Sequence, residues 1–496
     1  MFHDGDMPLV EALLKKRFHH SYHVPAHKGR YGPPEFQTIW QDVLLLDQTE
    51  LPDLDNLHQP QGVIAEAQLR AKEAFGVDAT RFLVGGTTVG VLAAILGTTW
   101  AFRDKKGLWI VQRDSHQSVY HALMLTGSKA LLLTPELDVY GLPLAQTASS
   151  FEAAVSWAER KGYTIYGLFL TSPNYYGRVS ALRDITAFAH RKHIPVLVDA
   201  AHGGHLAFMP NPIADEAVSA GADLIVHSTH KTNGSLTMSS LLHYQGQRLP
   251  REHIDLALKM LMSSSPSYVL MASLDMMQAL IRSGYMSARQ KTLLPLVQEL
   301  REALMKSTFY TVLTADDPFR LMLKVPDGLG AAVETDLRQK GLDIEFRHGD
   351  ILLFIFSYAD DRDTVAQLRH ALEEIENRRM FDKSDARVTG ASNLSPVHTH
   401  PTTHLMLQSR PFKRRPWRMQ TFSPPQAMLK KPFQEALGKE VARMIIPYPP
   451  GIPLVLPGER FTAEVSDQLL KLISEGHDVH GIELGAQHGP EIWIHA

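Results

Sequence analysis

The stretch His227–Ser240, HSTHKTNGSLTMSS, sets an amine among imidazoles and hydroxyls. It follows the apolar run Leu224–Val226, so Lys231 falls just past what reads as a short buried strand. In open α/β sheets that carboxyl edge is where ligands bind. A lysine there can form a Schiff base with an aldehyde, and the flanking hydroxyls and imidazole can hold a phosphate or a ring. Taken alone, Lys231 reads equally well as a solvated lysine after a buried strand.

Other stretches fall where strands of the same sheet should end. In VGGTTVG (84–90), Thr87 and Thr88 open a helix. Free backbone N–H groups, two hydroxyls and the helix dipole make a phosphate pocket there. The spacing is neither a dinucleotide fingerprint nor a Walker loop, which disfavours nucleotides. RDSHQSVYHAL (113–123) places His116 past another strand, either as a loop histidine or stacked on an aromatic ring. VDAAHGGH (198–205) puts Asp199 at a strand end with His202 three residues on. A buried carboxylate can keep a pyridinium nitrogen protonated and so make the ring an electron sink. The competing reading pairs Asp199 with His202 or His205 on a metal, but no third ligand of matching spacing appears. PVHTHPTTH (396–404) and KRRPWR (413–418) lie in irregular sequence. They read first as a solvated loop and a surface charge run, with a metal site and a nucleic-acid patch as alternatives. Pro457-Gly458-Glu459 reads by itself as a solvated surface turn.

Positioning these groups requires a mainly parallel sheet with helices on both faces. Strands are expected at Arg81–Val84, Leu108–Gln112, Ala130–Leu133, Ile165–Leu170, Val196–Val198, Leu224–His227 and Ser239–Tyr244. Helices fit between them, notably at Val119–Leu125, Ser150–Lys161, Leu182–Lys192 and Ile213–Ala220, and this alternation implies an α/β architecture. A helical stretch follows over 251–307, then a smaller α+β unit, then a Pro-, Arg-, Thr- and His-rich connector at 377–425. The organisation expected is an N-terminal arm and active-site loop (1–60), a large domain (61–305) and a C-terminal α+β domain (306–496).

The 496 residues are enough for two or three domains, and 50 basic against 53 acidic side chains ask for neither nucleic acid nor an anionic membrane as partner. With no cysteine there is no disulfide frame, thiolate metal site or thiol nucleophile, and the start of the chain lacks a secretory pattern. A cytoplasmic enzyme is the expectation. The uncharged run Phe82–Phe102 has the length of a membrane span, but Gly85 and Gly86 divide it into a strand end and a buried helix.

Together these motifs resemble the bacterial ornithine/lysine/arginine decarboxylases, pyridoxal-phosphate enzymes of fold type I with the aspartate-aminotransferase fold. HSTHK is similar to that family's cofactor-attachment signature. VPAHKG (24–29), TELPDLDNLHQPQG (49–62), GGTTVG, RDSHQSVYHAL, SPNYYG (172–177), VDAAHG, SPSYVLMASLD (265–275) and YPPGIPLVLPGE (448–459) have counterparts in the same order. Three positions depart from the pattern: Ala26, Gly85 and Gln117 stand where the family commonly has glycine, asparagine and lysine.

The resemblance implies a mainly parallel seven-stranded sheet in the large domain. It implies that Lys231 carries pyridoxal 5'-phosphate, Asp199 pairs with its ring nitrogen and His116 stacks on the ring. Thr87, Thr88, Ser228 and His230 would surround the phosphate, with His202 also in contact with the cofactor. The family's site lies at a dimer interface, and the segment Ser265–Tyr268 would reach the partner's cofactor. Glu459 would receive the substrate's distal cation, with His27 also among the substrate's neighbours. No metal is implied. The His-Lys motif begins within the first thirty residues, which matches compact members without the N-terminal domain of the large ones, and a homodimer or dimer of dimers is expected.

The activity implied is decarboxylation of a basic L-amino acid, arginine to agmatine for polyamine synthesis ahead of lysine (to cadaverine) or ornithine. One rival is an aminotransferase on the same fold, for which Arg320 or Arg347 could hold the α-carboxylate. The other is a non-catalytic protein that kept the fold.

Overall fold

Strands LWIVQ and IYGLFLT are apolar on both faces, so they need cover on both sides, as the inner strands of parallel sheets do. The computed structural model describes residues 3, 5–16, 18–30, 32–40, 42–102, 106–211, 213–388, 417–425, 427–485 and 489–496. Its large sheet contains β1 (Ala79–Leu83), β2 (Leu108–Gln112), β3 (Lys129–Leu133), β4 (Ile165–Thr171), β5 (Val196–Asp199), β6 (Leu224–His227) and β7 (Ser240–Tyr244). The smaller sheet contains β8 (Thr311–Leu313), β9 (Arg320–Lys324), β10 (Phe346–His348) and β11 (Ile351–Ile355). A further strand, β12 (Trp417–Thr421), returns to the large sheet.

The large sheet has eight strands in the order β1-β7-β6-β5-β4-β2-β3-β12. Pairing is parallel from β6 through β5, β4 and β2 to β3. It is antiparallel at β7 and β12, so the sheet is mixed. The expectation of seven strands is corrected by β12, which comes from the stretch read as connector. Its register runs from Trp417 against Leu133 to Thr421 against Lys129. That pairing satisfies the open edge of β3, whose N–H and C=O groups would otherwise lack partners.

Helices cover both faces. On one, Gly86–Ala101 packs against Arg251–Leu261. Their closeness depends on Gly97, where a Cβ would lie 2.5 Å from the Cα of Ile254. The opposite face is covered by Ala148–Arg160 and Leu182–Arg191, through Phe151, Val155 and Phe188. The run Phe82–Phe102 is thus the end of β1 and one core helix. Among the described residues no helix is long and apolar enough to cross a membrane.

Ile213–Ala220, expected as a helix, is a series of turns. The Glu216 carboxylate accepts the N–H groups of Val218 (2.8 Å) and Ser219 (3.0 Å), which gives the backbone an alternative to the helical ladder.

The smaller sheet is antiparallel, ordered β10-β11-β9-β8. It packs through Leu321, Leu323 and Leu352 on the helices Tyr285–Leu304, Gly330–Gln339 and Arg362–Val388. The last helix extends well into the expected connector, whose residues 389–416, with the 396–404 histidine cluster, lie outside the described residues. Beyond β12 come a three-stranded sheet, a two-stranded sheet and the helix Ala463–Ser474. That helix starts at Thr462, whose Oγ1 accepts the N–H of Val465 (3.3 Å).

Candidate active site

The carboxyl ends of β2, β4, β5 and β6 open into one cavity of about 350 Å³. Tyr448, Pro450 and Ile452 from the C-terminal region form part of its wall. Sheet order arranges its chemistry along a line. The Gly86–Ala101 helix start, after β1, lies at one end, Lys231 and Asp199 in the middle, and Asp114 after β2 at the other.

The first end is a cradle of neutral donors. Gly86 sits at φ +76°, a left-handed conformation that glycine adopts freely, and its N–H is held by the carbonyl of Met238 (2.8 Å). The helix it opens has no side-chain cap, so first-turn N–H groups remain for an anion. Thr87 Oγ1 bonds Ser228 Oγ and lies 3.1 Å from Ser240 Oγ. His230 is fixed through Nδ1 by the carbonyl of Ser239 (2.9 Å). Thr88, Ser228 and His230 all line the cavity.

In the middle, Lys231 Nζ is 3.2 Å from Nε2 of His202, whose Nδ1 is 2.7 Å from an Nη2 of Arg320 on β9. Burial lowers the Lys231 amine from lysine's ordinary value, opposed by the attraction of Asp199 and Glu345. Burial raises the Asp199 carboxyl, opposed by Lys231 and by the N–H of Ala201, which Asp199 accepts at 3.1 Å. Lys231 is open to the cavity whereas Asp199 is buried in its wall, and two groups with shifted titration at one cavity mark a candidate site.

His116 closes one wall. Its Nδ1 accepts the N–H of Ser118 (3.2 Å) and caps the helix Gln117–Thr126, which sets the ring's orientation. Burial pushes its pKa down to about 4, so the ring is neutral near pH 7. A Cβ on Gly451 would lie 3.0 Å from this ring.

The far end holds a group the sequence reading passed over. Asp114 is 2% exposed, and neither carboxylate oxygen has a hydrogen-bond partner among the described residues. Burial pushes its pKa up to about 6. Thr171 and Tyr175 line the cavity with it, and the Tyr175 hydroxyl donates to Glu345 (2.7 Å). Asp114 and Tyr175 stand inside two of the motifs above, but nothing in the sequence spacing shows that they face one cavity.

Three residues assigned from the resemblance lie elsewhere in this protomer. Glu459 does not line this cavity in the single chain and is held by Arg113 Nη2 (3.4 Å), Arg418 Nη1 (3.2 Å) and the N–H of Leu456 (2.8 Å). Two guanidiniums already answer its charge. His27 is likewise away from the cavity, 3.1 Å from Asp47 through Nε2. Ser265 is exposed outside it, in a segment tied to the acidic loop by Tyr268, whose hydroxyl donates to the carbonyl of Asp55 (2.6 Å).

The arginines offered for an aminotransferase are also engaged elsewhere. Arg320 is fully buried behind His202, and Arg347 is bonded to Glu334 (2.7 Å) and the carbonyl of Glu475 (3.2 Å). Neither lines the cavity. A second cavity, of about 420 Å³, lies between Leu57, Lys72 and Lys259, and there the charges of Arg81 and Asp255 are spent on each other at 2.7 Å. Among the described residues no group of three or more His, Asp or Glu is placed to hold a metal.

A large mixed α/β sheet, a smaller α+β domain and a lysine at the sheet's carboxyl edge define the fold-type-I class of pyridoxal-phosphate enzymes. The structure is similar to the lysine decarboxylase LdcF of Francisella novicida, with a TM-score of 0.78 at 20% identity, over 99% of this chain and 82% of that one. A family model described as "Orn/Lys/Arg decarboxylase, major domain" matches residues 7–321, and its companion "C-terminal domain" matches 428–495. The chain belongs to the Orn/Lys/Arg decarboxylase family. It is 33% identical to YaaO, an uncharacterized protein of Bacillus subtilis, over 96% of each chain. It is 31% identical to the arginine decarboxylase of Bacillus subtilis over 97% of each.

Proposed function

We propose that this chain decarboxylates L-arginine to agmatine with pyridoxal 5'-phosphate held on Lys231, with lysine and ornithine as the alternative substrates. One observation carries the reading: Lys231, Asp199, His116 and an uncapped helix start meet at one cavity. The choice of arginine is supported by the 31% identity to an arginine decarboxylase, against 24% to a lysine decarboxylase of Pseudomonas aeruginosa.

The residues fit the cofactor. Neutral donors at the helix start suit a dianionic phosphate, a buried carboxyl with a single backbone donor suits a ring nitrogen, and a neutral imidazole face suits an aromatic ring. When bound, the cofactor supplies the electron sink that allows CO₂ to leave. Lys231 would hold the cofactor through Nζ, and the same amine would be the group able to return a proton to the substrate's Cα. Asp199 would pair with the ring nitrogen, and His116 would pack on the ring. Tyr448, Pro450 and Ile452 keep water from the reacting carbon.

With Glu459 neutralised by two arginines, Asp114 is the cavity carboxylate left for the substrate's cationic tail. A buried carboxylate without partners is costly, and a guanidinium or ammonium would relieve that cost. The exposed Ser265 segment supports a dimer in which this loop faces the partner's site.

The test compares CO₂ release from L-arginine, L-lysine and L-ornithine by wild type and Asp114→Asn. Arginine is expected to have the highest kcat/KM, and Asp114→Asn to raise its KM about tenfold, the worth of one charge-assisted contact. Faster release from lysine would overturn the choice of arginine. An unchanged KM would remove Asp114 from the substrate site.

A further inference from the structure

We propose that Arg320 is a positioning residue that fixes the tautomer of His202 and, through His202, holds the Lys231 amine in its neutral form. This rests on the reading of Lys231 as the amine that takes the cofactor.

The argument is one of donors and acceptors. A guanidinium can only donate, and it keeps its protons in proteins. Arg320 Nη2 lies 2.7 Å from His202 Nδ1, so that nitrogen must carry the lone pair. The imidazole proton then sits on Nε2, which is 3.2 Å from Lys231 Nζ. An N–H facing an amine at that distance needs a lone pair to receive it, which an ammonium lacks. For Lys231 to donate instead, His202 would have to lose its last proton. The chain of contacts therefore selects a neutral amine, the form that bonds to an aldehyde.

Arg320 is itself immobilised. Its Nε lies 3.7 Å from Oδ2 of Asp317, whose Oδ1 takes the Nε2–H of His205 at 3.0 Å. Gly177, at φ +78°, lies against its stem, where a Cβ would be 2.6 Å from Arg320 Cγ. Arg320 belongs to β9 of the small sheet and His202 follows β5 of the large one, so the contact spans both. The groups that bear on the pair come from several elements. Asp199 and Glu345 favour an ammonium, whereas burial and Arg320 oppose it, and the outcome is an amine shifted below lysine's usual range. His116 and His205 bear on His202, and the edge of Tyr175 meets it at 5.1 Å between ring centres. No other guanidinium among them reaches Nδ1.

The test uses the full chain, free of cofactor and labelled with ¹⁵N-histidine, with His202→Gln identifying the signal by its loss. Wild-type His202 is expected to show a bare Nδ1 and a protonated Nε2 near neutral pH. Arg320→Met is expected to release the second tautomer, whose Nε2 lone pair can accept from an ammonium. The uptake of added pyridoxal 5'-phosphate, followed by absorbance, is the second readout. Its pH profile should move up by about one unit in Arg320→Met, making uptake about tenfold slower near neutral pH. Arg320→Lys keeps a charge and a donor, and should restore both readouts.

A wild-type His202 protonated on Nδ1 overturns the proposal. So does an Arg320→Met protein that keeps both tautomer and profile. Should Arg320→Met not fold, the wild-type spectrum decides alone. If Lys231→Ala takes up the cofactor as wild type does, the functional reading fails, while the tautomer result stands apart from it.

Discussion

At the helix-start end of the cavity the donors are backbone N–H groups, hydroxyls and an imidazole pinned by a carbonyl, whereas from Lys231 onward the wall includes several groups that can change charge. Donors of that kind suit an anion, so its parts share the load and none need titrate. In the second part, Asp199 and Lys231 shift each other's titration, Lys231 and Arg320 bear on His202, and Asp114 is buried with neither oxygen hydrogen-bonded among the described residues. The difference teaches where single substitutions should be graded and where they should be decisive.

Lys231→Ala should have the largest effect, lowering CO₂ release on the order of a thousandfold or more, since it removes both the anchoring amine and the returning proton. A rate within tenfold of wild type would contradict its role. Asp199→Asn comes next, with kcat reduced about a hundredfold while cofactor is still retained, the usual scale for losing one group aimed at developing charge. Ser228→Ala tests the neutral end. It should raise the cofactor's Kd about tenfold and leave kcat near wild type once cofactor is saturating. A large kcat loss there would erase the contrast between the two ends.

A separate expected effect is on stability. Burial raises the Asp114 carboxyl from 3.8 to about 6, so the unfolded chain gives up its proton at lower pH than the folded one. The folded state is therefore penalised increasingly as pH rises through that window, by about 3 kcal/mol once it is passed. Asp114→Asn should stabilise the cofactor-free protein above about pH 6 and lose that advantage below about pH 4. Urea unfolding of both proteins across the window measures it, and an advantage that does not change with pH would exclude Asp114 as its source.

The strand ends were legible because each is a local event. An apolar run that stops at Ser-Thr-His-Lys, at Asp-Ala-Ala-His or at Gly-Gly-Thr-Thr announces both its strand and its edge, and β2 and β6 fall at Leu108–Gln112 and Leu224–His227 as expected. The groups meeting from distant segments were not legible. Asp114 and Ile452 share a wall although more than three hundred residues separate them, and no periodicity encodes that. Arg320 was noticed for its charge, but its burial behind His202 depends on how the small sheet docks. Glu459 reads as a free carboxylate until β12 brings Arg418 beside it, and β12 was hidden in a stretch whose composition suggests a connector. Ile213–Ala220 has helix-like apolar spacing, which one well-placed glutamate overrides.

The most direct test of the central claim is a mass balance on carboxyl-labelled L-arginine with pyridoxal 5'-phosphate present, run on wild type and Lys231→Ala. Labelled CO₂ and agmatine appearing in equal amounts from wild type, with no keto acid and none of either from Lys231→Ala, is the predicted result. Keto acid in place of CO₂, or equal CO₂ from the two proteins, would contradict it.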